Sequence, residues 1–388
     1  MAEKLDSMKQ KTWDFGKGVL ATLLWLGAAA LGGTYVLGCG GTVLPPAIQT
    51  DQTLAIATGG QIRLYNNLNE LGSTGVTPVP VQTITAANVL SVAFDAHGNL
   101  YYLANNGTSG SAATFFSCLL PASGLPFPAC TSIGATVAGG QWLTIDSSGV
   151  VFATSRTSSS ATIVSFPSAS GPGATPAVAY TSNGIPLSYG GITVDSSDTL
   201  YVTEQATAAT IPVDKLFKCT VACQASAGSQ ADITASITTP FPNSAPGGPL
   251  AYSRDGTTLF VGSTNPQPHP PLTLPVAFAC TSGAGGLTCH ADSVTFPGAF
   301  GADSPYINTV GIAANKSNDI YAAVLLNNGG DTTTNFGPMF FGFLQAGPQF
   351  ACSTTPSNCR VNELPSVPMN SPAGSVAYGL AVSPPHSP

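Results

Sequence analysis

Short apolar runs broken by polar turns recur along the chain from residue 53 onward, and they are too short and too dense in β-formers for helices. The clearest is GITVDSSDTLYVTE at 191–204: an apolar strand, a turn opened by Asp195, and a second strand led by Leu200 and Tyr201. WLTIDSSGVVFATS at 142–155 and SVAFDAHGNLYYLA at 91–104 repeat it, and LAYSRDGTTLFVGS at 250–263 and GIAANKSNDIYAAV at 311–324 are weaker copies. Aligned without gaps, the copies put Asp95, Asp146, Asp195, Arg254 and Asn315 at the opening of the turn. Leu100, Val151, Leu200, Leu259 and Ile320 follow, each with an aromatic directly after it: Tyr101, Phe152, Tyr201, Phe260 and Tyr321. An Asp or Asn at the turn can bond its own backbone and favour the bend. Consecutive apolar residues such as Leu200-Tyr201-Val202 predict strands covered on both faces.

The aromatics are spaced 49 to 61 residues apart, which suits a four-stranded unit with loops of varied length. Pro/Gly-rich stretches such as 264–275 and 327–338 absorb the variation. Units buried on both faces and repeated at this period are the blades of a β-propeller. Residues 53–66, TLAIATGGQIRLYN, read as a similar hairpin with a shorter turn, and SVAYGLAVS at 375–383 resembles the first half of the repeat. The C-terminal strand is therefore expected to join the N-terminal hairpin in one composite blade, which removes open sheet edges. The expected fold is all-β, a six-bladed β-propeller over residues 51–388, preceded by an N-terminal hydrophobic signal or anchor helix. Seven blades would require one more within residues 330–372.

The copies resemble the NHL-type propeller repeat, in which an apolar strand, an Asp-containing turn and an aliphatic-Tyr-Val strand recur. The resemblance covers most of residues 53–383. Lactonase-like and lyase-like propellers share the same loose motif, so it implies a fold and no particular activity.

The first 50 residues read differently. Lys4, Lys9, Lys11 and Lys17 precede the uncharged stretch VLATLLWLGAAALGGTYVLG at 19–38, followed by Cys39. A positive start, an apolar stretch and a small residue before a break form an export-signal pattern. Val36-Leu37-Gly38-Cys39 resembles a bacterial lipobox, which implies lipidation of Cys39 as the new N-terminus. Leu37 is larger than the usual residue there. The alternative is an uncleaved helix, because twenty apolar residues are just long enough to span a bilayer, with the lysines held on the cytoplasmic side. Either way the membrane is met through the N-terminal lipid or helix, and residues 40–50 form a tether. The expected location is the cell envelope, extracytoplasmic and membrane-anchored, in the periplasm or at the cell surface.

Eight of the nine cysteines follow Cys39, as four local pairs: Cys118 with Cys130, Cys219 with Cys223, Cys280 with Cys289, and Cys352 with Cys359. An even number in an exported chain argues for disulfides. Each pair lies far from the next, so nearest-neighbour bridges are expected, each stapling the outer strands of a blade. A zinc site would need matched close-spaced pairs, and only Cys219 with Cys223 comes near that spacing.

Charge narrows the partners. Only 7% of the 388 residues are charged, against about 25% in an ordinary domain. The net charge is −7, and four of the 11 basic residues lie in the leader. The remaining bases form no cluster, which argues against nucleic acid as a partner. The 43% hydrophobic content argues against disorder despite 43 Gly and 32 Pro.

Candidate chemistry is sparse. His97, His269, His290 and His386 have no partner at metal-ligand or triad spacing, and no hydrolase, zincin or phosphate-loop motif is present. Asp95, Asp146 and Asp195 suit hard cations by type, but they fall in different blades and read better as turn formers. No metal and no cofactor is expected. The candidate ligand contacts are Glu204, at the end of a repeat strand, and Arg156. The expected function is a noncatalytic envelope propeller for binding, scaffolding or assembly with an extracytoplasmic protein partner or complex. The alternative is a lactonase-like or lyase-like enzyme acting on a small molecule or polysaccharide. It requires groups such as Glu204, Asp214, His97 or His290 to converge on one central funnel.

Overall fold

In the computed structural model the strands of the described residues form six four-stranded antiparallel sheets. The described residues are 52–58, 60–66, 79–108, 110–121, 125–157, 161–167, 177–181, 188–205, 215–225, 231–232, 248–253, 256–262, 273–283, 286–295, 305–315, 320–328, 335–344, 360–363 and 379–384. The leader, Cys39 and the tether lie outside them. Among the described residues no helix is long and apolar enough to cross a membrane.

The second sheet shows the plan. Val89–Phe94 is innermost, followed outward by Leu100–Ala104, Ala113–Cys118 and Thr131–Val137. The third, fourth, fifth and sixth sheets repeat it, with innermost strands Leu143–Ile145, Ser188–Val194, Leu250–Tyr252 and Pro305–Ala314. The first sheet is composite. Its innermost strand is Leu380–Val382 and its outer three are Leu54–Thr58, Gln61–Tyr65 and Gln82–Thr85. The six innermost strands touch one another in cyclic order, which makes the fold a β-propeller. Asn335–Leu344 and Arg360–Glu363 are the outer strands of the sixth sheet, so these strands of the 330–372 stretch belong to the repeat before it.

Sheet-to-sheet packing explains the unbroken apolar runs. In Leu100–Ala104 the side chains alternate between two clusters. Tyr101 and Leu103 pack with Leu143, Val151 and Phe166 of the third sheet, while Leu100 and Tyr102 pack with Ala55, Ile62 and Leu64 of the first. Both faces of the strand are buried, so a polar residue is excluded from either. Phe115 meets Phe166 edge-on at 4.9 Å between ring centroids, and Tyr201 stacks on Tyr252 of the next sheet at 5.7 Å. Burying a side chain of this size contributes about 1.5–3 kcal/mol.

The aromatic of each repeat has a small partner. Across the innermost strand pair, Tyr101 faces Ala93, Phe152 faces Thr144, Tyr201 faces Thr193, Phe260 faces Ala251 and Tyr321 faces Ala313. Innermost strands crowd around the axis and admit only a small residue at this position. The aromatic on the second strand, where the sheets fan apart, supplies the volume.

Among the described residues three disulfides are present: Cys118–Cys130, Cys219–Cys223 and Cys280–Cys289. Cys280 and Cys289 face each other across the two outer strands of the fifth sheet. Cys118 ends the third strand of its sheet and Cys130 directly precedes the fourth. Cys223 instead sits in a single helical turn, Val221–Ala225, that follows its strand. Cys352 and Cys359 lie outside the described residues.

Candidate functional site

The turn that opens each repeat is built by one side chain. In the second sheet the Asp95 N–H donates to the Asn99 carbonyl at 3.0 Å and the Gly98 N–H to the Asp95 carbonyl at 3.1 Å. Asp95 Oδ1 accepts the backbone N–H groups of His97 and Asn99, both at 2.9 Å. Its Oδ2 accepts Asn99 Nδ2 at 2.8 Å and the Tyr101 hydroxyl at 3.2 Å. Asp195 repeats this with Ser197 N, Thr199 N and the Tyr201 hydroxyl. Asp146 accepts Ser148 N, the Ser148 hydroxyl and Val150 N; its aromatic is Phe152, which has no hydroxyl to give. In the sixth sheet Asn315 donates to the Tyr321 hydroxyl at 3.4 Å. The Tyr of the repeat therefore both fills the space between sheets and ties the turn.

The fifth sheet departs from the ungapped alignment. Ser253, not Arg254, opens the turn: its N–H donates to Thr258 O at 2.8 Å, and its Oγ accepts the N–H groups of Thr257 and Thr258. This turn is one residue longer, which shifts the sequence match by one place. Arg254 lies outside the described residues.

The last position of the turn requires a left-handed backbone. Gly98, Gly149 and Gly256 occupy it with φ of 80°, 82° and 71°. In the fourth sheet Asp198 stands there with φ 59°, a conformation that a side chain disfavours. Its carboxylate reaches the neighbouring turn: Oδ1 accepts Ser147 N at 2.8 Å and Oδ2 the Ser147 hydroxyl at 2.7 Å.

At this end the innermost strands enclose a central cavity of about 280 Å3. Its wall includes Val92, Leu143, Ile192, Leu250, Ile312 and Leu380, one equivalent aliphatic from each sheet. Asp146 and Asp195 sit at its rim, engaged in their turns. Among the described residues no group of three or more His, Cys, Asp or Glu is placed to hold a metal ion.

The sequence candidates do not assemble here. Glu204 is 3% exposed and pairs across strands with Tyr189 and Lys215. That puts it near the start of the innermost strand, at the opposite end from the turn acids. Arg156 ends a strand of the third sheet, is exposed, and pairs with Ala161. His97 is exposed in its turn and His290 lies in the outer strand Gly286–Thr295 of the fifth sheet. Asp214, His269 and His386 lie outside the described residues. Glu204, Arg156, His97 and His290 thus belong to four different sheets, and none lines the central cavity.

No protein-family model matches the sequence, and a search of curated proteins finds no match. Solved structures similar to it include TolB from Acinetobacter baumannii, at 12% identity and a TM-score of 0.48, covering 88% of this chain and 69% of that one. A periplasmic gluconolactonase from Pseudomonas aeruginosa is similar at 12% identity and a TM-score of 0.46, covering 80% of this chain and 82% of that one. A gluconolactonase from Xanthomonas campestris is similar at 12% identity and a TM-score of 0.38, covering 75% and 87%. No residue role passes from these proteins to this chain.

What sequence reasoning missed is a second cavity, of about 540 Å3, between the turn ends of the second and third sheets. Asn99, Tyr101 and Ser117 line one side, and Ser147, Ser148 and Gly149 the other. Only the turn motif itself hinted at it, because the two walls lie about fifty residues apart in the chain.

Proposed function

We propose that this chain is a six-bladed, NHL-like β-propeller held at the extracytoplasmic face of a membrane by the Cys39 lipid or by its leader helix. There it binds or scaffolds a protein partner of the envelope without catalysing a reaction. The observation that carries this reading is the state of the acids at the central cavity: Asp146 and Asp195 are both bonded into their turns, at the rim of a wall of aliphatics. Three disulfides support an oxidising compartment.

Intact mass of the membrane-extracted protein tests the anchor. A chain starting at Cys39 with acyl groups, gaining two hydrogens per bridge on reduction, is expected. A mass starting at Met1 would replace the lipid with a spanning helix. In-cell crosslinking from exposed turn residues then tests for a discrete envelope partner.

The second reading, a lactonase-like enzyme, is favoured by one observation: two carboxylates at the rim of the central cavity. A hydrolase assay on a panel of small sugar lactones separates the two. Turnover that vanishes in Asp146→Asn or Asp195→Asn would establish the enzyme, and no turnover is expected.

A further inference from the structure

The cavity between the second and third sheets has the chemistry of a binding site. At about 540 Å3 it falls in the range of roughly 300–1,000 Å3 typical of small-molecule pockets. Its polar groups are neutral hydroxyls, an amide and an imidazole. The one acid in its wall is Asp95, and both of its oxygens are already filled by the turn and by Tyr101.

Three of the four hydroxyl protons in this wall are committed. Tyr101 donates to Asp95, Ser148 to Asp146 and Ser147 to Asp198. The Ser147 and Ser148 oxygens keep acceptor capacity, which suits a ligand that brings donors. An ammonium group would find no free carboxylate to offset its desolvation. A neutral, hydroxyl-rich ligand fits.

Two further observations point to a ligand. Ser117 is only 8% exposed, lines the cavity, and its hydroxyl makes no hydrogen bond among the described residues. Among the described residues only Ser111 Oγ is both fully buried and unpaired, so the Ser117 oxygen opens on the cavity and takes its partner from whatever fills it. The second is Asp198. It holds Ser147 in the cavity wall from the next sheet over, and it does so from a left-handed backbone where three other turns use Gly. Backbone strain retained for one side-chain contact concentrates at binding sites. Leu119, 60% exposed, and Ile133 add an apolar edge to the wall, as the face of a sugar ring requires.

We infer that the cleft between the second and third sheets binds a neutral saccharide of one or two rings, with Ser117 and His97 as its adaptable hydrogen-bonding groups. The inference deepens the binding reading above and is independent of how the chain is anchored.

The test is saturation-transfer NMR on the full-length, detergent-solubilised protein with maltose, cellobiose and N,N′-diacetylchitobiose, and spermidine as the cationic control. Saturable transfer to at least one saccharide is expected. Ser117→Leu, which fills the cavity, should abolish it. His97→Ala, at an exposed position that the fold does not need, should weaken it about tenfold. Asp198→Gly relieves the backbone and should leave the melting temperature unchanged or higher while weakening binding about fivefold. Transfer to none of the three saccharides, binding untouched by both Ser117→Leu and His97→Ala, or preference for spermidine would each overturn the proposal. None of these outcomes bears on the mass measurement, so the two readings fail separately.

Discussion

The second sheet and the first contain the same joint, made in two ways. In the second, the Asp95 N–H meets the Asn99 carbonyl and the Asn99 N–H returns to the Asp95 carboxylate, four residues apart. In the first, the Ser383 N–H meets the Thr53 carbonyl at 2.8 Å and the Thr53 N–H returns to Ser383 Oγ at 2.8 Å. The Ser383 carbonyl also accepts from Gln52 Nε2, 331 residues away. The hydrogen-bond pattern is kept and the peptide connection is absent. What the fold demands at this place is therefore a short oxygen-bearing side chain that accepts the incoming N–H. Chain continuity is optional. The difference lies in entropy: a local turn closes readily, whereas the long closure must be paid for in loop entropy by strand pairing and by the packing of Leu380 and Val382 against Leu54, Ile56 and Tyr321.

Removing the closing strand tests this most severely. Deletion of residues 380–388 strips the first sheet of its innermost strand and opens the ring, and loss of the cooperative unfolding transition by circular dichroism is expected. Next come point changes at the two joints. Asp95→Ala leaves several buried donors without an acceptor and should cost about 3 kcal/mol in urea denaturation, against about 1–2 kcal/mol for Ser383→Ala. Equal costs would show that the charge and the extra bonds of Asp95 add nothing to the joint. Reduction of Cys118–Cys130, which closes a loop of 12 residues beside the Asp95 turn, should cost about 2–3 kcal/mol. The first sheet has no disulfide among the described residues, so its closure should respond to reductant only indirectly.

The smallest effect is one of pH. Burial first, then the charge of Asp195, raise the Tyr201 phenol above its ordinary value of 10.0. Burial raises Tyr65 and Tyr102 as well. The unfolded chain then loses these protons before the folded one does. Stability is thus unaffected below about pH 10 and falls as pH rises above it. Tyr201→Phe should flatten part of that fall and cost about 1 kcal/mol at neutral pH for the lost hydrogen bond to Asp195, with packing kept, as Phe152 shows in the third sheet. An unchanged alkaline slope in denaturation against pH would show that Tyr201 ionises equally in both states.

The repeat, the turn acids, the closing strand and three of the local Cys pairs were legible because each is a short-range pattern. The bonds that make Asp95 and Asp195 turn formers run to residues within six positions, so the sequence displays donor and acceptor together. Ser253 was not legible, since a single extra residue in its turn moved Arg254 into the expected place. Glu204 was singled out as a candidate ligand contact at the end of a repeat strand, but its burial depends on neighbouring strands whose positions no local pattern gives. The cavity beside Ser117 depends on Asp198 of the fourth sheet. The sign of it was an Asp where the aligned turns have Gly98 and Gly149, a difference that looks neutral until the backbone angle is known.

The long-range joint also sets an order of events. A ribosome delivers residues 54–56 long before their partners, residues 380–382. Until then the first sheet presents an unpaired edge, and every truncated or stalled product keeps it. Ring completion thus acts as a check on synthesis: only a chain made past residue 382 can hide that edge from proteases and from other chains.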